Sequence, residues 1–240
     1  MLSIYYKELR SFFSNATGYI VISIFLILTG LFLWVIPGQF NIPDSGYANV
    51  DGLFYIAPWL FLFLCPAVSM RLFAEEKQTG TWELLVSKPI SKWNIVAGKY
   101  LAGWTLVLLS LLPTLLYYFS VYYMAEPLGN VDSGAFWGSF LGLVFLSAVY
   151  VAIGTFASSL SSNQIVAFVV AVVISFFMLY GFDLIAAFFK SGSTIQTIEA
   201  LGINGHYKSI SRGVIDSRDI AYFLLVSLIF LFFTKIRISK

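Results

Sequence analysis

The sequence predicts an all-α membrane protein with six transmembrane helices, and three observations lead to this fold class. Of the 240 residues, 59% are hydrophobic and only 11% are charged, whereas soluble domains carry roughly 25% charged residues. The apolar residues form charge-free runs of at least 15 residues, which suits helices that cross a bilayer core of about 30 Å. Within these runs the apolarity does not alternate, as it does in the strands of a membrane β-barrel.

A helix is predicted before the first span, over residues 2–13, where it would lie along the membrane surface. At about 100° per residue, its apolar face contains Leu2, Tyr5, Tyr6, Leu9, Phe12 and Phe13. The opposite face, which is left for water, contains Lys7, Glu8, Arg10 and Ser11. We therefore expect an interfacial helix that leads into span one.

The charge-free runs locate the six spans, which we expect at about residues 17–36, 53–72, 97–124, 135–158, 164–189 and 216–234. Spans four and five share one such run, and the polar patch from Ser158 to Gln164 divides it with a tight turn. The last run has only 15 residues, from Ile220 to Thr234, which is roughly 22 Å of helix. Span six is therefore expected to extend over Val214 and Ile215 or to lie in a locally thinned bilayer.

The lysine and arginine residues predict the orientation of the spans. The connections on the side of the first helix carry ten of these cations, and the connections on the other side carry four. Because cytoplasmic loops are enriched in lysine and arginine, we expect both termini to lie in the cytoplasm. The loop between spans five and six, which holds all four of the opposing cations, would then lie outside.

The connection between spans two and three, residues 71–99, contains signals for a short helix of its own. Gly80 is expected to end an extension of span two, and Thr81 to cap the next helix, with Glu83 in its first turn. Pro89 would stop that helix, and Ser91 would open the run into span three. Two interpretations remain, which are a solvated hairpin loop and a charged helix that docks a cytoplasmic partner.

Asp183 lies inside span five, near its predicted outer end. Ionisable residues within membrane helices are functional candidates, so Asp183 is a possible part of a transport path. The alternative is a carboxylate that simply reaches the membrane interface from the helix end.

The loop between spans five and six, residues 190–219, is predicted to contain a short amphipathic helix, with Tyr207, Ile210 and Val214 on one face. His206 lies next to this face and Arg212 in the same outer loop. His206 is the only histidine, so a polar surface or capping role is favoured over a metal ligand or a base.

Motifs for chemistry within the chain itself are not found in the sequence. Gly98 and Lys99 do not form a nucleotide-binding loop, because Trp93 occupies the first glycine position and Tyr100 follows the lysine. Cys65 is the only cysteine, which argues against a disulfide or a cysteine-based metal site. We therefore predict no catalytic residues, no cofactor and no metal, and we expect no nucleic acid as a partner.

Taken together, the residues resemble the type-two ABC transporter permease family over nearly the whole chain. In the connection after span two, the resemblance rests on Arg71, Ala74-Glu75-Glu76, Gly80-Thr81, Glu83-Leu84-Leu85, Pro89 and Gly98-Lys99. Before the last span it rests on the block from Asn204 to Phe223. Within the family, the chain is similar to permease subunits associated with bacterial gliding motility.

The resemblance implies one permease domain over residues 1–240, in the bacterial inner membrane, that pairs with a second identical or different permease subunit. It implies that a separate ATPase subunit binds ATP and docks on a coupling helix at residues 81–87. The docking residues implied are Glu75, Glu76, Gly80, Thr81, Trp82, Glu83, Leu84 and Leu85. The expected function is to couple ATP hydrolysis to substrate movement, and the alternative is a structural membrane anchor of an envelope machine.

Overall fold

The computed structural model describes residues 1–214 and 216–239, which form fourteen α-helices and no strand. The helices are α1 (Leu2–Ser14), α2 (Thr17–Gly30), α3 (Ile42–Ser45), α4 (Asp51–Ser69), α5 (Arg71–Gln78), α6 (Trp82–Val86), α7 (Lys92–Leu111), α8 (Leu115–Met124), α9 (Ser133–Leu160), α10 (Gln164–Phe176), α11 (Phe182–Ala186), α12 (Gly192–Glu199), α13 (Ile203–Ile210) and α14 (Ser217–Arg237). The all-α prediction is therefore confirmed for the described residues.

Among the residues that the structure describes, six helical stretches are long and apolar enough to cross a membrane, as predicted. Their bounds are Thr17–Val35, Asp51–Gln78, Lys92–Met124, Ser133–Leu160, Gln164–Ala186 and Ser217–Arg237. Span one ends in a π-helical turn at Leu31–Val35. Span five continues through a second π-helical turn at Phe177–Gly181. Span three contains a 3-10 turn at Leu112–Thr114, where Pro113 lacks the N–H that a regular helix needs.

Span six is longer than its charge-free run. The helix has 21 residues and continues past Thr234 through Lys235 and Arg237. Cations are favourable at a helix C-terminus because they oppose its negative dipole end, and their long stems can reach the interface. Asp216 caps the other end by accepting a hydrogen bond from the Arg218 N–H at 2.9 Å, whereas Ile215 lies outside the described residues.

The fourth span, α9, is the centre of the bundle. In its most apolar stretch 78% of the residues are buried, against 28% in spans one and five. It packs against α4, α7, α10 and α14, so four of the other five spans contact it, whereas span one packs against α4 and α7 instead. Small residues let helix backbones approach closely in a membrane, and α9 contributes Gly138, Gly142 and Gly154 to its buried side.

The connections gather at the two ends of the bundle. One end, which we call the charged end, contains α1, α5, α6, the turn at residues 161–163 and the last turn of α14. Direct contacts join these segments, including Lys92 Nζ to the Ser239 carbonyl at 3.3 Å and Lys7 to Glu76 at 2.6 Å. The opposite end, which we call the far end, contains α3, α12 and α13.

The predicted first helix is present as α1, but its faces differ from the expectation in one respect. Glu8, which was expected to face water, is buried together with Ile4 and Phe12. Leu2 and Tyr6, which belong to the predicted membrane-facing side, are not covered by the rest of the protein and are 62% and 63% exposed. The reason is that α1 packs along α7, so protein contacts decide which side of the helix is covered.

The helix predicted in the loop after span five is present as α13, but it is shorter than expected. Tyr207 and Ile210 are buried, as predicted, whereas Val214 is 59% exposed and lies beyond the end of the helix. Gly213, with a φ of +83°, continues the turn that follows Ile210. A further helix, α12, was not predicted.

We expect Gly154→Ala to lower the stability of the bundle by about 1–3 kcal/mol through overpacking. A Cβ at position 154 would lie 1.8 Å from Ser69 Oγ and 2.8 Å from Ser69 Cβ, where α9 crosses α4. Thermal unfolding in detergent measures the effect. The double variant Gly154→Ala/Ser69→Gly should recover much of the loss, and Gly192→Ala, with nothing within 4 Å of its Cβ, is the matched control. A wild-type midpoint for the single variant would contradict this close packing.

Candidate functional site

A cluster of four charged side chains lies at the charged end, and Lys99 is its centre. Lys99 is fully buried, and its Nζ lies 2.8 Å from Glu8 Oε1 and 3.0 Å from Glu76 Oε2. It also donates a hydrogen bond of 2.6 Å to the Leu72 carbonyl. Lys7 completes the ion cluster with contacts of 2.6 Å to Glu76 and 3.3 Å to Glu8.

The sequence positions each member of the ion cluster through helix geometry. Ser91 caps α7 by accepting a hydrogen bond from the Asn94 N–H at 3.3 Å, as predicted, and Lys99 follows two turns later. Gly98 lets α1 approach, because a Cβ there would lie 3.0 Å from the Met1 carbonyl oxygen and 3.1 Å from Ile4 Cβ. The Gly98-Lys99 pair therefore has a packing and charge-pairing role at the contact between α1 and α7.

The ion cluster is electrically balanced, with two cations and two carboxylates. A buried charge without a partner is costly, so each member depends on the others. Partial burial lowers the pKa of Lys7, but the hydrogen bond to Glu76 and the charges of Glu8 and Glu76 outweigh it and raise that pKa. Lys7 therefore remains charged over the whole physiological pH range.

Arg71 forms a second connection between α5 and the first two helices. Its Nη2 donates to Ser11 Oγ at 2.7 Å and its Nη1 to Thr17 Oγ1 at 3.1 Å. The guanidinium carbon lies 5.0 Å from the centre of the Phe12 ring, a cation–π distance. Within α5, Glu75 Oε2 lies 3.1 Å from Arg71 Nε. The bonds to Ser11 and Thr17 connect the start of α5 to the junction of α1 and α2.

Ser158, in the last turn of α9, supports the break between α4 and α5. Its hydroxyl accepts hydrogen bonds from the N–H groups of Phe73 and Ala74, at 2.9 and 3.1 Å, and donates to the Met70 carbonyl at 2.6 Å. Lys77 donates to the carbonyl of Ser159. The polar patch that was predicted only to separate spans four and five therefore also holds α5 in place.

The short helix predicted after Gly80 is present as α6 and has no buried residue. Gly80 has a φ of +72° and ends α5 as predicted. The expected side-chain cap by Thr81 is wrong, because Thr81 has a helical backbone (φ −80°, ψ −9°) and makes no cap hydrogen bond. Its hydroxyl instead lies 3.0 Å from that of Thr79.

An aromatic contact joins α6 to the ion cluster. The Trp82 ring meets the Phe73 ring edge to face at 5.7 Å, and Lys99 Nζ lies 5.3 Å from the centre of the same Phe73 ring. Direct contacts therefore connect α6 to the neighbourhood of Lys99 through Trp82 and Phe73.

The structure brings most of the expected docking residues to the surface of one segment. Those that are exposed or half-buried are Glu75, Gly80, Thr81, Trp82, Glu83, Leu84 and Leu85. Glu76 differs, because it is buried and faces Lys99. Neighbouring positions on a helix point in different directions, so Glu75 and Glu76 cannot serve the same surface.

The far-end candidates lie apart from this segment. Asp183 is half-buried and accepts a hydrogen bond from the Asn204 side-chain amide. His206 Nδ1 lies 2.6 Å from Asp219 Oδ1, and His206 Nε2 lies 3.0 Å from the Ala200 carbonyl oxygen. Arg212 is exposed, and its Nε donates to the Lys208 carbonyl at 3.0 Å.

These contacts give His206 a role in joining helices. The imidazole connects α13 to the start of α14 through Asp219, and it stacks on the Tyr222 ring at 4.0 Å. Within the described residues, no group of three or more His, Cys, Asp or Glu side chains is placed to hold a metal ion.

Sequence reasoning missed the ion cluster, although a signal for it exists. Glu8 lies four residues from both Ile4 and Phe12, and all three are buried on the same side of α1. Lys99 likewise lies four residues after the buried Ile95 of α7. Two opposite charges on the apolar stripes of adjacent helices predict a buried pair, whereas the charge count treats Lys99 only as a cation of the connection between spans two and three.

Comparison with known protein families identifies the kind of protein that this chain resembles. Residues 36–201 match the family described as ABC-2 family transporter protein. This range includes α5, α6, Arg71, Glu76 and Lys99, but it does not include Glu8 or α14. No curated protein sequence matches the chain.

We expect Lys99→Met to destabilise the protein by about 3 kcal/mol, because Glu8 and Glu76 would then share only Lys7. The triple variant Glu8→Gln/Glu76→Gln/Lys99→Met, which removes the opposing charges as well, should regain part of that loss. Unfolding midpoints in detergent give the comparison. Lys88→Met, at an exposed position, should change stability by no more than about 0.5 kcal/mol. Equal midpoints for Lys99→Met and Lys88→Met would argue against a structural role of the ion cluster.

Proposed function

The chain belongs to the ABC-2 family of transporter proteins, and on that premise we propose that it moves a substrate across the bacterial inner membrane when a separate ATPase hydrolyses ATP. Permease domains of this family typically lack an ATPase site of their own, which generally implies an ATPase partner. In this proposal residues 1–240 form one permease domain, and the ATPase partner docks on α6.

The observation that carries this proposal is the way in which α5 holds α6 out from the bundle. The ion cluster, Arg71 and Ser158 bind α5 from three directions, whereas α6 is uncovered. Span two is continuous from α4 into α5 apart from Met70. A force on α6 therefore reaches span two directly, and it reaches spans one and three through Arg71 and Lys99. Packed elements of this kind respond by rigid-body shifts of helices.

The chemistry of α6 suits a protein partner. Glu83 is exposed and offers a carboxylate, while Leu84 and Val86 are 67% and 40% exposed and offer apolar surface. Apolar anchors with a charged neighbour are typical of specific protein contacts. Glu75, Gly80 and Thr81 extend the proposed contact towards α5. Glu76 is buried and does not take part in the proposed contact; instead its ion pair with Lys99 holds α5 against the bundle.

We further propose that a second permease subunit, identical or different, covers spans one and five. These two spans are the least buried, with 28% of their most apolar stretches covered. An apolar cavity of about 350 Å³ lies between them and span two, lined by Val21, Phe25, Leu60, Leu64 and Phe168 among others. Purification from the native membrane would identify the partner.

Asp183 remains a proposed member of the transport path. Its hydrogen bond to Asn204 supports a position inside the protein, because Asn204 is itself buried and lines a cavity at the far end. A carboxylate that faced lipid would instead lack such a partner.

We also propose that the chain works in a gliding-motility complex, because it is similar to permease subunits associated with bacterial gliding motility. The competing function is a structural anchor that moves no substrate. The deciding experiment measures the ATPase activity of the assembled complex with and without this subunit. ATPase activity that depends on the subunit and responds to a candidate substrate supports transport. ATPase activity that changes with neither the subunit nor the substrate supports an anchor.

We expect the charged end to face the cytoplasm and the far end to face outward. Cys65 is buried, so an introduced cysteine provides the label. Ser193→Cys, at an exposed position of α12, should react with a membrane-impermeant maleimide in intact spheroplasts, and the matched Lys88→Cys only after permeabilisation. The reverse pattern would overturn the proposed orientation.

Charge reversal by Glu83→Lys should weaken binding of the ATPase by roughly tenfold or more, because it places a cation in the proposed contact. Membrane insertion should be unchanged, since Glu83 is exposed outside the spans. Copurification with the ATPase and a binding titration measure the change. Glu199→Lys, an exposed carboxylate at the far end, is the control and should bind normally. Undiminished binding by Glu83→Lys would assign α6 to an ordinary solvated loop.

A further inference from the structure

A cavity of about 330 Å³ opens at the far end, between the outer half of α4, the π-helical turn of span five and α13. Its size falls in the range of small-molecule sites, which is about 300–1,000 Å³. It is separate from α6 and the ion cluster, but Asn204, the hydrogen-bond partner of Asp183, also lines it.

One wall of the cavity is aromatic. Tyr55 and Trp59 lie four residues apart on α4 and both line it. The Trp59 ring stacks on the Tyr180 ring at 5.1 Å. Tyr180 belongs to the π-helical turn Phe177–Gly181, and such turns occur often at functional sites, since they change the direction of side chains within a helix.

The opposite wall is formed by α13, and a proline in α4 explains how α13 is held there. Pro58 has no N–H, so the Phe54 carbonyl loses its partner in the helix. The Tyr207 hydroxyl donates to that carbonyl at 2.7 Å, and this bond holds α13 against α4. Burial raises the pKa of Tyr207 well above its usual value, so the phenol retains the proton that the bond requires.

The rim of the cavity carries two cations and one carboxylate. Lys208 follows Tyr207 directly, and Arg212 lies four residues later; both line the cavity and are exposed. Within the described residues, the terminal nitrogens of Arg212 donate no hydrogen bond to the protein. Asp51 lines the same cavity from the first turn of α4, one turn before Tyr55 and on the same helix face.

We infer that this cavity binds a zwitterionic amphiphile, with its phosphate between Lys208 and Arg212, its ammonium group beside Asp51 and Tyr55, and its apolar part against Trp59 and Tyr180. Lysine and arginine are the side chains that bind phosphate. A carboxylate next to an aromatic face binds an ammonium group through charge and cation–π attraction. Asp51 also repels ligands that carry only negative charge, which gives the site its selectivity.

The position of the cavity agrees with this ligand class. Tyrosine and tryptophan collect where membrane helices meet the headgroup region, and Tyr55, Trp59 and Tyr180 form such a group beside the ends of two spans. Phosphoethanolamine is the shared chemistry, and it occurs both as a phospholipid headgroup and as a free solute. Binding at this site does not depend on the ATPase, so its failure would leave the proposed coupling function untouched.

The test is a calorimetric titration of the full-length, delipidated chain in detergent with three probes. These are dihexanoyl-phosphatidylethanolamine, dihexanoyl-phosphatidylglycerol and free phosphoethanolamine. The wild type should bind the ethanolamine lipid roughly tenfold more tightly than the glycerol lipid. Asp51→Asn should remove that preference and Asp51→Glu should retain it. Lys208→Gln and Arg212→Gln should weaken the binding of both lipids by roughly tenfold each.

Lys190→Gln is the matched control, because Lys190 is an exposed cation of the far end that does not line the cavity. Its affinities should equal those of the wild type, and unfolding midpoints show whether every variant is folded. Tight binding of the ethanolamine lipid alone identifies a membrane lipid as the ligand, and equal binding of phosphoethanolamine identifies a solute with the same chemistry. Absence of saturable binding, equal affinity for the two lipids, or unchanged affinity in Arg212→Gln and Lys208→Gln overturns the inference.

Discussion

Burial of the Lys99 ammonium group is the constraint on which the charged end depends. A fully buried cation needs oppositely charged partners, and in this chain both come from other helices, Glu8 of α1 and Glu76 of α5. The three helices must therefore meet at one point. One side of the first helix is consequently packed into the bundle. Its other side leaves Leu2 and Tyr6 exposed.

The same contacts hold the segment after span two firmly against the bundle, as the proposed coupling role requires. A helix that projects from a membrane on a flexible stem transmits little force, whereas α5 is bound at its start by Arg71, along its length by Glu76, and near its end by Lys77. By contrast, α6 has no buried residue. Its Trp82 ring contacts Phe73, which in turn lies against Lys99, so the proposed docking surface and the ion cluster form one continuous set of contacts.

The far end depends on a different interaction. Backbone carbonyls that lack a partner within their own helix accept hydrogen bonds from side chains of another element. Pro58 leaves the Phe54 carbonyl without a partner, and Tyr207 supplies one. His206 likewise connects the Ala200 carbonyl to Asp219. Few, specific hydrogen bonds of this kind hold α13 over a cavity, and they leave Lys208 and Arg212 at its rim.

The sequence by itself determined the all-α class, the six spans, the turn between spans four and five, and the helix ends at Gly80 and Ser91, because local patterns of apolarity and capping specify these features. Only the tertiary structure decided the roles of Glu8, Glu76 and Lys99, the missing cap at Thr81 and the early end of α13. A local pattern records how apolar or charged a segment is, but not which helix will cover it. The burial of a charge depends on a partner that can lie far away in the chain. Glu8 and Lys99 are 91 positions apart, and they meet only once the helices pack.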